Sequence, residues 1–142
     1  MLLLLILSVG LVFYLRIIQS GPQFRPEFST LMRLSYWKDT WKIIAEHPFK
    51  GVGLGNFNLV ESRYAHNSFL QIWAETGILG LLSFLWFIAI SIKTGLKNKK
   101  SSPENAAIIA AALVFLIHNL VDFTFFLPET VFSWWVILGL LF

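Results

Sequence analysis

Apolar residues run almost without interruption over 1–18, 69–92 and 106–127, and again over the last twelve positions, 131–142. A helix crossing lipid needs about 20 mostly apolar residues, because lipid cannot satisfy an open backbone. The first three runs meet that length and are read as transmembrane helices. The first lacks the basic leader and the small-residue cleavage site of a signal peptide, so a span is the preferred reading. The fourth follows a turn expected at Pro128-Glu129-Thr130 and is too short to cross. It reads as the start of a truncated last helix, in segment 128–142.

Between the first two runs lies a mostly polar segment, 19–68. Its opening, Gly21-Pro22-Gln23-Phe24-Arg25-Pro26, is irregular. From Ser29 or Thr30, either suited to an N-cap, a helix is expected over about 30–47. Leu34, Trp37, Trp41 and Ile44 recur at three- and four-residue spacing, with Lys38, Asp39, Lys42 and Glu46 on other faces. Pro48 disfavours helix at His47 and supplies the stop. This amphipathic helix lies in the headgroup layer or packs on its own protein, and the sequence leaves both open. Arg33, one turn before Trp37, shares its side and points toward the membrane surface on the first of these readings. Gly51-Val52-Gly53-Leu54-Gly55 follows. It matches neither a dinucleotide fingerprint nor a P-loop. Two readings remain: a tight turn, which is preferred, and a run of N–H groups offered to an anion.

Charge sets the topology. Lys93, Lys97, Lys99 and Lys100 follow the second span, so the connection 93–105 is placed in the cytoplasm and segment 19–68 outside. The expected fold class is therefore all-α: a polytopic transmembrane helical bundle of three to four spans with an extracytoplasmic loop that carries a helix. Composition agrees. The chain is 56% hydrophobic, 16% aromatic and only 13% charged, against about 25% charged for a soluble domain. That excludes intrinsic disorder and a nucleic-acid partner, and makes lipid the first candidate for a net charge of +3. Without cysteines there is no disulfide or thiolate chemistry.

The polar residues inside the apolar runs carry the candidate chemistry. At 100° per residue, Asn67, Gln71 and Glu75 form one stripe on the second span, while Gly77 and Gly80 lie on the far side, where small residues admit another helix. An intramembrane carboxylate such as Glu75 is a functional-site candidate. His66 stands at the outer boundary of that span. On the third span His118 and Asp122 share a face at about the depth of Glu75, with Asn119 beside them. Two ligands do not make a metal site, and a hydrogen-bonded pair is the preferred reading.

His66-Asn67, nine residues, Gly77, two residues and Gly80 resemble the H[NSQ]-x9-G-x2-[GTY] signature of the O-antigen ligase and polymerase superfamily. Arg33, Trp37, His47-Pro48 and Gly51-Val52-Gly53-Leu54-Gly55-Asn56-Phe57 fit its flanks. The likeness is strong over 33–82 and looser to 128. It implies that this chain is the C-terminal part of a longer protein of about a dozen spans. It further implies a glycosyltransferase of the cytoplasmic membrane, facing the outside, that serves cell-surface polysaccharide or lipopolysaccharide synthesis. The donor would be a glycan on undecaprenyl diphosphate and the acceptor a sugar hydroxyl on a lipid core or polysaccharide. Transfer would need no metal or other cofactor and would invert the anomeric centre. On this resemblance His66 is the catalytic base, Arg33 and Arg63 hold the diphosphate, and Asn67 and Gln71 bind sugar or diphosphate. Glu75, Gly77, Gly80, His118 and Asp122 support the site. Ligase, polymerase and protein O-glycosylation activities stay open. The rival readings are a transporter-type fragment, relaying protons through Glu75, His118 and Asp122, and a non-catalytic membrane module.

Overall fold

A computed structural model describes residues 11, 14, 26–97 and 103–141. Among them only helices and loops occur, so the all-helical class holds. The first apolar run, 1–18, lies outside the described residues except for Leu11 and Tyr14, and so do 98–102 of the lysine-rich connection. The chain divides into two compact units, Met1–Met32 and Arg33–Phe142. In the first, the described part is chiefly the opening of helix α1, Pro26–Glu46. The second holds everything considered below.

Helix α1 begins a turn earlier than its capping residues indicate, at a proline, whose fixed φ suits a first helical turn. Its inward face also differs from the expected one. Thr40 and Ile44 are buried and Tyr36 and Ile43 pack with Phe57, Leu59, Ala65 and Ala74. Leu34 and Trp41 remain about half exposed, Trp41 meeting the edge of Trp73 at 5.3 Å. One face of the helix thus packs on its own protein, and Leu34 and Trp41 lie on the open side.

Helix α2, Ser68–Lys97, is not the single straight rod its hydropathy implies. Gly77 breaks it with φ +73° and ψ −179°. A continuous helix would set the Ala74 carbonyl against the N–H of Ile78, four residues on. That N–H turns instead to the Pro48 carbonyl at 2.9 Å. Val52 N–H then donates to the Ala74 carbonyl at 2.8 Å, and Gly53 N–H to that of Glu75 at 2.9 Å. The glycine-rich segment is therefore a plug in a broken helix, and these two of its N–H groups are spent on protein. That settles its choice of readings in favour of the turn. Glycine is required because a Cβ on Gly77 would strike the Phe49 carbonyl, and one on Gly51 the backbone of Glu75. The expected helix partner of Gly77 is thus replaced by a loop. At Gly80 the nearest neighbour of an added Cβ is Thr76 of the same helix.

The third apolar run is also interrupted. Helix α3, Pro103–His118, stops at Asn119, so the run 106–127 is not one helix. The Asn119 side chain explains the stop, since all its bonding capacity is taken. Its Nδ2 donates to the Phe115 carbonyl (2.9 Å) and Thr124 Oγ1 (2.8 Å); its Oδ1 accepts from Ser68 Oγ (2.6 Å) and Phe125 N–H (3.0 Å). A short 3-10 turn, Thr124–Phe126, leads into helix α4, Pro128–Gly139. The turn expected at Pro128 is that helix's first turn. Trp134, 1% exposed, fills the core shared by α2, α3 and α4 and donates its indole N–H to the Ala112 carbonyl at 3.2 Å.

Gly77→Ala should destabilise the full chain by at least the 1–3 kcal/mol typical of a strained backbone angle, about, with a backbone clash added. Thermal unfolding in detergent checks this; an unchanged midpoint would show that the break is not needed.

Candidate functional site

Four residues, 65–68, lead from the loop after α1 into α2, and each is held from a different direction. Ala65 N–H donates to Gln71 Oε1 at 3.1 Å. The His66 carbonyl accepts the Trp37 indole N–H at 3.3 Å. Asn67 caps α2, its Oδ1 accepting the Leu70 N–H at 3.0 Å. Ser68 N–H reaches the carbonyls of Asn119 and Asp122 at 2.9 and 3.1 Å. Between these anchors His66 takes φ +52°, a left-handed angle adopted by no other non-glycine residue among those described. Such strain persists only where the surroundings impose it.

The His66 imidazole lies flat against Tyr36, with ring centres 5.5 Å apart, and meets Phe123 edge-on at 4.7 Å. Burial lowers its pKa below the ordinary 6.5, and the nearby Arg33 charge lowers it further, while the Asp122 carboxylate opposes them. The ring is therefore neutral at pH 7. Arg33 is thus close enough for its charge to act on the histidine. Among the described residues its Nε is buried and finds no hydrogen-bond partner. A buried guanidinium N–H left in this state costs about 1–3 kcal/mol or more, which a bound anion would relieve.

Glu75 and Gln71 form a chain that ends at this segment. Glu75, 5% exposed, accepts the Gly55 N–H on Oε2 at 3.1 Å and Gln71 Nε2 on Oε1 at 3.0 Å. Gln71, 2% exposed, passes the constraint to Ala65, the residue before His66. Gln71 is thus enclosed and bonded at both ends, unlike a side chain waiting for substrate. Arg63 lines a cavity with Tyr64, Gln71 and Glu75. His118 and Asp122 form the expected pair, Nε2 to Oδ2 at 3.1 Å. Among the described residues no third His, Asp or Glu joins them as a metal cluster.

Sequence reasoning missed Tyr36, Ser68 and Phe123, and gave Asn119 no role. A buried asparagine inside an apolar run was the available signal; the aromatic ring contacts left none.

A family model described as O-antigen ligase matches residues 1–85. The chain belongs to that family. An O-antigen ligase of Pseudomonas aeruginosa is 32% identical over 140 residues, an alignment covering 91% of this chain and 32% of that protein. An O-antigen ligase of Salmonella typhimurium is 32% identical over 89 residues, covering 49% of this chain and 22% of its own length. The chain thus spans about a third or less of the O-antigen ligases it matches. No solved structure matches.

Glu75→Ala should free the Gly55 N–H and strand the buried Gln71 Nε2, costing about 1–3 kcal/mol. Amide hydrogen exchange at Gly55 and Ala65 should rise together. Faster exchange at Gly55 alone would break the chain from Glu75 to the histidine segment.

Proposed function

We propose that this chain is the acceptor-activating part of a membrane glycosyltransferase of the O-antigen ligase type. It moves a glycan from undecaprenyl diphosphate to a sugar hydroxyl of a lipid core, at the outer face of the cytoplasmic membrane. The observation that carries this reading is the pairing of a neutral, immobilised His66 with an Arg33 whose buried Nε has no partner. Both matched relatives bear the name O-antigen ligase, which favours ligation over polymerisation.

The chemistry needs two things of the protein. An acceptor hydroxyl, with a pKa far above 7, must lose its proton as its oxygen attacks the anomeric carbon. His66 takes that proton, because its lowered pKa leaves the ring free to accept it. The bond from the anomeric carbon to the diphosphate oxygen breaks in the same displacement, and undecaprenyl diphosphate departs with the electron pair. Arg33 holds that charge, and the planar fork of its guanidinium suits a phosphate better than a lysine would. Asn67 and Gln71, first expected at the substrate, are assigned to fixing the backbone on either side of His66. Asp122 opposes Arg33 at the ring and pairs with His118.

Helix α2 is the one described helix long and apolar enough to span a bilayer. The twenty residues after its break, 78–97, reach about 30 Å, the thickness of the hydrocarbon core. Leu82, Trp86 and Phe87 leave an exposed apolar face there for lipid or neighbouring helices. Lys93 and Lys97 at its far end support a cytoplasmic position for that end, with residues 33–67 outside.

In the full-length protein His66→Ala should reduce transfer about 10²–10⁴-fold, the usual contribution of a general base, with membrane insertion intact. Retained activity would remove His66 from the reaction. Arg33→Lys should lose at least about tenfold in kcat/KM for the donor, or about 1.4 kcal/mol. A neutral result would remove Arg33.

A further inference from the structure

A cavity of about 360 Å³ opens among Leu54, Phe57, Arg63, Tyr64, Glu75 and Phe126. That is at the lower end of the range for small-molecule sites, about 300–1,000 Å³. Its floor is acidic and its walls aromatic. The two hydrogen bonds that Glu75 accepts, from Gly55 and Gln71, use about half of the lone-pair sites of a carboxylate. The rest can accept from hydroxyl groups. Arg63, exposed at the rim, adds a fork of donors for ring or hydroxyl oxygens. The Tyr64 ring stacks on Phe123 at 4.3 Å, and Phe123 in turn touches the His66 ring at 4.7 Å. The cavity is therefore one aromatic pair away from the proposed base.

This combination selects against phosphate. A buried carboxylate at the floor repels an anion, and a single exposed arginine does not reverse that at short range. It equally disfavours a purely apolar tail, which would leave the remaining lone pairs of Glu75 facing hydrocarbon. What fits is an uncharged polyhydroxylated ring, with hydroxyls for the carboxylate and guanidinium and a C–H face for the aromatic wall.

We propose that this cavity is a sugar-binding subsite that receives one saccharide unit next to the reacting centre. The proposal rests on the glycosyl-transfer reading above and reassigns Arg63 from the diphosphate to the sugar. The sugar has two sources, the acceptor's terminal unit or the donor's first unit, and both present the same chemistry.

Two variants test it in the full-length protein. Leu54→Trp fills the mouth from a residue that is 80% exposed, so folding is spared. Arg63→Ala removes the donors at the rim. Each should raise one KM at least fivefold with kcat changed less than twofold. A rise in the acceptor KM assigns the cavity to the acceptor sugar, and a rise in the donor KM assigns it to the donor sugar. Saturation-transfer NMR should in parallel show a soluble core oligosaccharide, or the released donor repeat unit, contacting the wild-type protein and losing contact in Leu54→Trp. Unchanged constants together with unchanged saccharide contacts would overturn the subsite while leaving His66 chemistry intact. If the wild-type protein transfers no glycan, the function fails, and the NMR arm alone decides whether the cavity binds sugar.

Discussion

The break of α2 at Gly77 is the constraint on which the rest of this structure depends. Interrupting a helix frees backbone groups, and in an apolar setting each unsatisfied group costs several kcal/mol. Here the freed Ala74 and Glu75 carbonyls receive the N–H groups of Val52 and Gly53, and the freed Ile78 N–H receives the Pro48 carbonyl. The loop and the helix thus complete each other. Because the loop has to enter the helix, glycine is needed wherever backbone meets backbone, at Gly51 and Gly77. The spacing from His66 to Gly77 acquires a physical meaning: it is the length of helix between the strained histidine and the point where the loop locks in.

From that lock the constraint passes to the histidine. Glu75 holds Gly55 on one oxygen and Gln71 on the other, and Gln71 holds Ala65. On the opposite side Asn119, at the end of α3, fixes Ser68. A left-handed φ at His66 costs about 1–3 kcal/mol, and this double anchoring sustains it. The ring itself is held by Tyr36 and Phe123 and kept neutral by burial and Arg33. Two carboxylates take different parts: Glu75 acts through backbone geometry, while Asp122 acts on the charge of the ring.

Periodicity and spacing made the helical class legible, together with the apolar character of α2 and the His118–Asp122 pair. The residues drawn to one place, Arg33 and His66, were also found from sequence, through the signature and its flanks. What hydropathy could not show was the interruption of two apolar runs. Gly77 and Asn119 each sit in sequence that reads as unbroken helix, and the effect of each depends on partners tens of residues away, Phe49 for one and Ser68 for the other. The side of α1 that packs on protein depends on distant partners as well. Tryptophan looks like a core residue by composition, yet Trp41 stays half exposed while Thr40, bonded to the Tyr36 carbonyl at 2.7 Å, is buried. A polar stripe such as Asn67, Gln71 and Glu75 does not reveal that Gln71 and Glu75 bond one another.

The account stands or falls on His66 acting as a neutral base whose charge state is set by its neighbours. The most direct test is the acid limb of the pH–rate profile, compared between the wild-type protein and Asp122→Asn. Burial and Arg33 lower the pKa of His66, so activity should persist as pH falls through 6.5 and decline only below it. Asp122 raises that pKa, so removing its charge should move the limb to still lower pH. A limb at or above 6.5, or one that stays in place or moves upward in Asp122→Asn, would contradict the account.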